Sequence, residues 1–368
     1  MKQEIREGII SSTLLQNSIA SHGIKRLFLV SGKSISYLPF AGKIYSLPML
    51  TDSFDDFTPN PSYESILKGV EKFQASNCDG ILAIGGGSAL DVAKCIKLFS
   101  GMDPKKSYLE QSLIDSKIPL LVIPTTAGTG SESTHFAVIY KDNVKLSVTH
   151  PSLFPNVVFL DSTVLDSLPL YQKKVTMLDA ICQSIESWWS LASSPLSIHY
   201  ARQALKLLFT YGSTYLQGNT DSAKYILRGS NLAGQAINLT ATTAPHAMSY
   251  QLTTLFGLPH GHAVALSLPG VWRYMYHHVD KTHDPRGSEY LLQVFNEIAT
   301  TMGQTTVDQA IAYFESFLKE LDIKRPPINE HQLDQLVASV NIQRLKNTPI
   351  MLSNEVLYAL YAGEGKSL

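Results

Sequence analysis

The stretch from residue 80 to residue 99 constrains this chain more than any other. Gly80-Ile81-Leu82-Ala83-Ile84 is a short unbroken apolar run, which reads as a strand buried on both faces. It ends in Gly85-Gly86-Gly87-Ser88, and a helix-period segment, Ala89–Phe99, begins at once. Parallel strands need crossover connections and those are usually helical, so this pattern implies a parallel sheet covered by helices. Glycines at the carboxyl end of such a strand let the backbone approach a ligand, and the free N–H groups of the helix start favour a phosphate. A plain tight turn is the competing reading, and three consecutive glycines favour the phosphate.

Two more runs repeat the pattern. Arg26-Leu27-Phe28-Leu29-Val30 ends at Ser31-Gly32-Lys33-Ser34, and Pro119–Ile123 ends at Pro124-Thr125-Thr126, with a helical segment at Tyr63–Gln74. Neither turn carries the GxGxxG fingerprint, and Gly32-Lys33-Ser34 is no Walker loop because Leu27 stands where its first glycine belongs. In the loop Thr125–Glu132, the hydroxyls of Thr125, Thr126, Thr129 and Ser131 suit phosphate or sugar oxygens. Beyond Asp161 the periodicity changes. Helical segments Lys173–Leu191, Ser197–Leu216, Tyr225–Asn238, Ser288–Met302, Thr306–Leu321 and Glu330–Val340 dominate, with a polar loop at Val279–Gly287. The expected architecture is an α/β Rossmann-like domain over residues 1–162, then an all-α domain over residues 163–368.

A formal net charge of −1 provides no basic field for nucleic acid or an anionic membrane, so neither is expected as a partner. Cys78, Cys95 and Cys182 are scattered without a CxxC pair, which suits a reducing compartment. The first residues lack a signal-peptide pattern and no run is long enough to span a bilayer, so a cytoplasmic location is expected.

Asp179 and Gln183 are four apart in a helical segment and share a face. Together with His246 and His260 they make a candidate site for one divalent ion, Fe2+ or Zn2+. Histidines that only satisfy local hydrogen bonds are the alternative.

The ordered set Gly85–Lys94, Pro124–Glu132, Asp179, His246, His260 and Asn347-Thr348-Pro349 resembles the iron-containing (group III) alcohol dehydrogenases. The resemblance implies the dehydroquinate synthase-like fold and reversible NAD(P)H-dependent reduction of a small aldehyde to a primary alcohol. It also implies a nucleotide held by Gly32, Lys33, Ser34, Gly85, Gly86, Gly87, Ser88, Asp91, Thr125, Thr126, Thr129 and Ser131. Asp179, His246 and His260 match the family's metal ligands, while Gln183 stands where a histidine is usual, and an amide is the weaker donor. His246, Tyr250 and His262 are the expected catalytic residues, with Tyr250 in place of a further histidine, and with water, the ribose hydroxyls, or His262 and Tyr250 as the alternative proton paths. A homodimer is expected.

Within the family, Asp179–Ser190 and Thr242–Tyr250 with Pro259–His262 resemble the phosphonoacetaldehyde-reducing members. That implies an anionic aldehyde and a local cation, with Arg202, Arg228, Arg273 and Lys145 as candidates. A general short-chain alcohol dehydrogenase, a sulfoacetaldehyde reductase, a dehydroquinate-synthase-like lyase and a degenerate cofactor-binding protein are the alternatives. NADP(H) is expected over NAD(H), because Gly32 occupies the place where NAD-preferring relatives often carry an acidic residue.

Overall fold

The computed structural model describes residues 3–142 and 144–363. They form two compact units. One comprises the residues up to Pro169 together with Gly218–Gly234; the other comprises Leu170–Gln217 and the residues from Gln235 onward.

The elements of the first unit are β1 (Glu4–Glu7), α1 (Ser12–Ser21), β2 (Leu27–Ser31), α2 (Ala41–Tyr45), β3 (Leu50–Phe54), α3 (Tyr63–Ser76), β4 (Gly80–Gly85), α4 (Gly87–Phe99), β5 (Leu120–Pro124), β6 (Phe136–Lys141), β7 (Val144–Thr149) and β8 (Val157–Leu160). Six strands form one parallel sheet in the order β1-β8-β5-β4-β2-β3, and β6 and β7 form a separate antiparallel hairpin. The inner strands β2, β4, β5 and β8 are buried at every residue, which is why they read as unbroken apolar runs. The edge strands β1 and β3 and the hairpin are only partly buried, so they carry no such run and escape a sequence reading. Ser31 pairs with Ile84 and Gly85 with Pro124, so β2, β4 and β5 end flush and their glycine- and threonine-rich turns meet at one sheet edge.

The remaining helices are α5 (Leu170–Trp189), α6 (Pro195–Leu216), α7 (Thr220–Thr240), α8 (Ala244–Phe256), α9 (His260–His277), α10 (Gly287–Thr301), α11 (Val307–Glu320), α12 (Glu330–Ser339), α13 (Ile342–Leu345) and α14 (Asn354–Ala362). The first part of α7 belongs to the first unit and its end to the second. In the second unit α5 packs against α6 and α9, and α9 against α8. Every residue from Met177 to Trp189 is buried, so the polar groups of Asp179, Gln183 and Glu186 lie within a core and must find partners there.

Helices α8 and α9 have weak sequence signatures. Thr243 makes no side-chain cap for α8, and α9 runs through Pro269, which ordinarily ends a helix. The polar tract expected as a loop contains a short 3-10 turn, Val279–Lys281, before α10 begins at Gly287.

Candidate active site

The second unit brings three of the sequence-selected residues to one point. Asp179 lies in the middle of α5, His246 in the first turn of α8, and His260 at the first position of α9. Each offers one ligand atom, and these atoms lie within 4.8 Å of one another. Gly261 makes this convergence possible. A Cβ there would run into the Val175 carbonyl oxygen and stand 2.9 Å from Asp179 Cβ. The start of α9 therefore rests directly on α5, and His260 is delivered beside Asp179 by a missing methyl group.

His246 is held from behind. Its Nδ1 is hydrogen-bonded to Glu186 Oε1, and its Nε2 lies 3.3 Å from Asp179 Oδ1. Glu186 Oε2 in turn accepts from the Thr243 backbone N–H at 2.7 Å and the Thr243 hydroxyl at 2.8 Å, and Trp189 Nε1 donates to that hydroxyl at 2.9 Å. In the neutral imidazole the carboxylate holds the proton on Nδ1 and leaves Nε2 with the lone pair. Burial opposes a charge on His246, but the Glu186 and Asp179 carboxylates outweigh it and raise its pKa to about 9. The cradle is thus built for a positive charge. Two carboxylates, a buried Nε2 without a well-formed hydrogen bond, and a second imidazole with its ring 5.2 Å away fit a divalent cation bound by nitrogen and oxygen.

Glu186 escaped the sequence reading. The available signal was its place three residues after Gln183 and seven after Asp179, on the same helical face. Gln183 itself is buried one turn beyond Asp179. Tyr250 stacks on His260 with centroids 6.0 Å apart and rings 15° from parallel. His262 is used elsewhere. Two residues along a helix point to opposite sides, and His262 Nδ1 accepts from Tyr171 Oη at 2.8 Å while Nε2 donates to the Lys324 carbonyl at 2.9 Å. Burial lowers the His262 pKa. Both of its ring nitrogens are occupied away from the three-residue cluster.

In the first unit the two flagged loops touch. A Cβ on Gly87 would lie 2.9 Å from Thr129 Oγ1, and one on Gly86 would lie 3.4 Å from Thr126 Oγ1. The Thr125 backbone N–H donates to Gly85 O at 2.9 Å. Gly86, Gly87, Ser88, Thr126 and Thr129 stay half-exposed, Lys33 and Ser34 are exposed, and Thr125 is buried. Ser88 Oγ accepts from the Asn60 N–H at 3.3 Å.

Asp91 and Ser131 face each other. Ser131 Oγ donates to Asp91 Oδ1 at 2.6 Å, and the Val138 N–H donates to Asp91 Oδ2 at 2.9 Å. Fully buried Lys94 joins them, donating to Ser131 O and Oγ, Thr134 Oγ1 and Phe136 O. Burial lowers the Lys94 pKa to about 8. These residues brace the loop from inside. At its far end Gly130 abuts Gly234 of α7 so closely that neither position has room for a Cβ.

The proposed anion-binding cations are largely committed. Arg202 pairs with Glu297 at 2.6 Å, Arg228 with Glu7 at 3.1 Å and Arg273 with Glu315 at 2.9 Å. Burial raises the Asp91 pKa, and Lys145 lies close enough to oppose that rise, behind the larger contributions of Lys94, Ser131 and the Val138 N–H.

The model of the iron-containing alcohol dehydrogenases matches residues 3–162, and that of the Fe-containing alcohol dehydrogenase family C-terminal region matches residues 173–363. A phosphonoacetaldehyde reductase from Streptomyces viridochromogenes is 31% identical over 294 residues, 74% of this chain and 74% of that protein. An NADPH-dependent butanol dehydrogenase from Clostridium saccharobutylicum is 27% identical over 82% of this chain and 79% of its own length. The crystal structure of a sulfoacetaldehyde reductase from Bifidobacterium kashiwanohense in complex with NAD+ superimposes with a TM-score of 0.89 at 25% identity, covering 100% of this chain and 98% of that one. Among the described residues no helix is long and apolar enough to cross a membrane. The parallel sheet with its helices, the helical second unit and the two family matches have one reading: this chain belongs to the iron-containing alcohol dehydrogenase family.

Proposed function

We propose that this protein reduces a small anionic aldehyde, phosphonoacetaldehyde, to its primary alcohol, 2-hydroxyethylphosphonate, with NADPH as the favoured hydride donor. The observation that carries the reading is the convergence of Asp179, His246 and His260 around one point, with Glu186 orienting His246. These three residues hold one divalent metal, with Gln183 one turn along α5 as a weak further donor. Bound there, the metal supplies Lewis-acid polarisation of the aldehyde oxygen. The half-exposed Gly86-Gly87 turn, with Thr126 and Thr129 against it, receives the nucleotide pyrophosphate at the start of α4. Tyr250, stacked on His260, passes a proton to the alcohol oxygen. Sulfoacetaldehyde is the second reading, supported by the likeness to the sulfoacetaldehyde reductase structure.

The test is an NADPH oxidation assay with phosphonoacetaldehyde, sulfoacetaldehyde and propanal, before and after exhaustive chelation. The expected result is stoichiometric NADPH consumption, fastest with phosphonoacetaldehyde, abolished by chelation and restored by added Fe2+ or Zn2+. Full activity in metal-free protein sinks the metal assignment, and equal turnover of propanal sinks the anionic substrate.

The nucleotide preference is tested at Gly32. Its φ is −74°, and a Cβ there would meet only Ser34 Oγ at 3.8 Å, so an aspartate fits without strain. Gly32→Asp should shift the NADPH-over-NADH ratio of kcat/KM toward NADH by about tenfold or more, because like-charge juxtaposition costs more than the roughly 1.4 kcal/mol that a factor of ten represents. A ratio that does not move removes Gly32 from the 2′-phosphate site.

A further inference from the structure

The geometry points to Arg344 as the residue that recognises the anionic end of the substrate, an inference that rests on the aldehyde-reductase reading above and extends it. Among the described residues the other arginines are held by carboxylates or backbone carbonyls. Arg202, Arg228, Arg273 and Arg286 pair with Glu297, Glu7, Glu315 and Asp284, and Arg325 donates to the Leu360, Tyr361 and Leu266 carbonyls. The Arg344 guanidinium instead lies over the Tyr250 ring, 5.3 Å from its centroid. The same ring stacks on His260. One aromatic ring therefore contacts both a member of the three-residue cluster and a guanidinium whose hydrogen-bond donors are not spent on a carboxylate.

Exposure gives this arrangement a direction. Asp179 and His246 are buried, whereas His260, Tyr250 and Arg344 are half-exposed. Arg344 thus shares with His260 and Tyr250 the partial exposure that Asp179 and His246 lack. In this arrangement an aldehyde whose carbonyl lies at the cluster would turn the anionic group on its next carbon along the Tyr250 ring toward the guanidinium, to be held at ordinary charge-assisted hydrogen-bond distance. A planar fork resting on an aromatic face suits a phosphonate or a sulfonate, because two oxygens can be bonded at once.

The backbone carrying Arg344 is fixed. Asn347 Nδ2 donates to the carbonyls of Thr240 at 2.7 Å and Thr242 at 3.1 Å, and its Oδ1 accepts from Ser190 Oγ at 2.8 Å. Thr348 Oγ1 accepts from the Ala244 N–H at 3.0 Å. The segment after Arg344 is therefore clamped to the start of α8, the helix that carries His246 and Tyr250. This also gives the Asn347-Thr348-Pro349 motif a purpose, holding a short helix that bears an arginine in register with the cluster.

The experiment compares wild type, Arg344→Gln and Arg344→Lys. The first readout is the ratio of kcat/KM for phosphonoacetaldehyde to that for propanal. It should fall about 100-fold in Arg344→Gln, chiefly through KM for the phosphonate, and only part of the way in Arg344→Lys, which keeps the charge without the fork. A ratio within threefold of wild type, or one that falls equally in the lysine and glutamine variants, overturns the inference. The second readout needs no turnover: calorimetric titration with methylphosphonate, which should bind wild type and bind Arg344→Gln far more weakly. If wild type oxidises no NADPH with any aldehyde, the reductase reading fails and the titration still decides Arg344. If wild type reduces propanal but neither prefers the phosphonate nor binds methylphosphonate, Arg344 fails and the reductase reading stands.

Discussion

Gly261→Ala should empty the proposed metal site and lower turnover by about 100-fold or more, the scale expected when a reacting group is displaced by about 1 Å. The added Cβ would overlap the Val175 carbonyl oxygen and crowd Asp179 Cβ at 2.9 Å. Backbone atoms cannot rotate away, so the start of α9 must lift off α5 and carry His260 with it. Helix propensity works the other way, favouring alanine over glycine by roughly 1 kcal/mol. A loss of metal therefore has to come from the clash. Metal analysis of purified protein, with thermal melting to confirm the fold, reads the outcome. One equivalent of metal in the variant at wild-type turnover would falsify the account of how the two helices assemble the site.

Glu186→Gln should weaken metal binding by about 10- to 100-fold while leaving Asp179, His246 and His260 in place, the range typical for losing a carboxylate behind a ligand histidine. The amide keeps the shape but donates as readily as it accepts, so the His246 tautomer that frees Nε2 is no longer enforced. Glu186→Ala should also destabilise the protein, by about 1–3 kcal/mol for each buried donor left without a partner, because the Thr243 N–H and hydroxyl lose their acceptor. Competition against a chelator of known affinity separates the two effects. Unchanged affinity in Glu186→Gln would show that His246 needs no orienting carboxylate.

Both predictions concern residues that a one-dimensional reading treats as ordinary. Gly261 sits between two histidines and draws no attention, and Glu186 looks like one more acid on a helix. Their roles arise from contacts with Val175 and His246, which are distant in sequence. His262 shows the converse. Its proximity to His260 in sequence made it a candidate for the proton path, yet two helical residues subtend nearly half a turn, and its nitrogens are engaged by Tyr171 and Lys324. Asp91 and Ser131 likewise read as nucleotide contacts, and the structure commits their side chains to one another.

What the sequence by itself determined was local. Strands buried on both faces must be continuously apolar, so β2, β4 and β5 declared themselves. The four-residue spacing of Asp179 and Gln183 likewise fixed a shared face before any packing was known. Tertiary structure alone decided the rest: that residues 218–234 join the first unit, that Gly130 and Gly234 touch, that α9 rests on α5 through Gly261, and that Arg344 lies over Tyr250. The physical reason is that periodicity encodes which face of an element is apolar, whereas the pairing of faces depends on volumes and hydrogen-bond partners that meet only when the chain is packed.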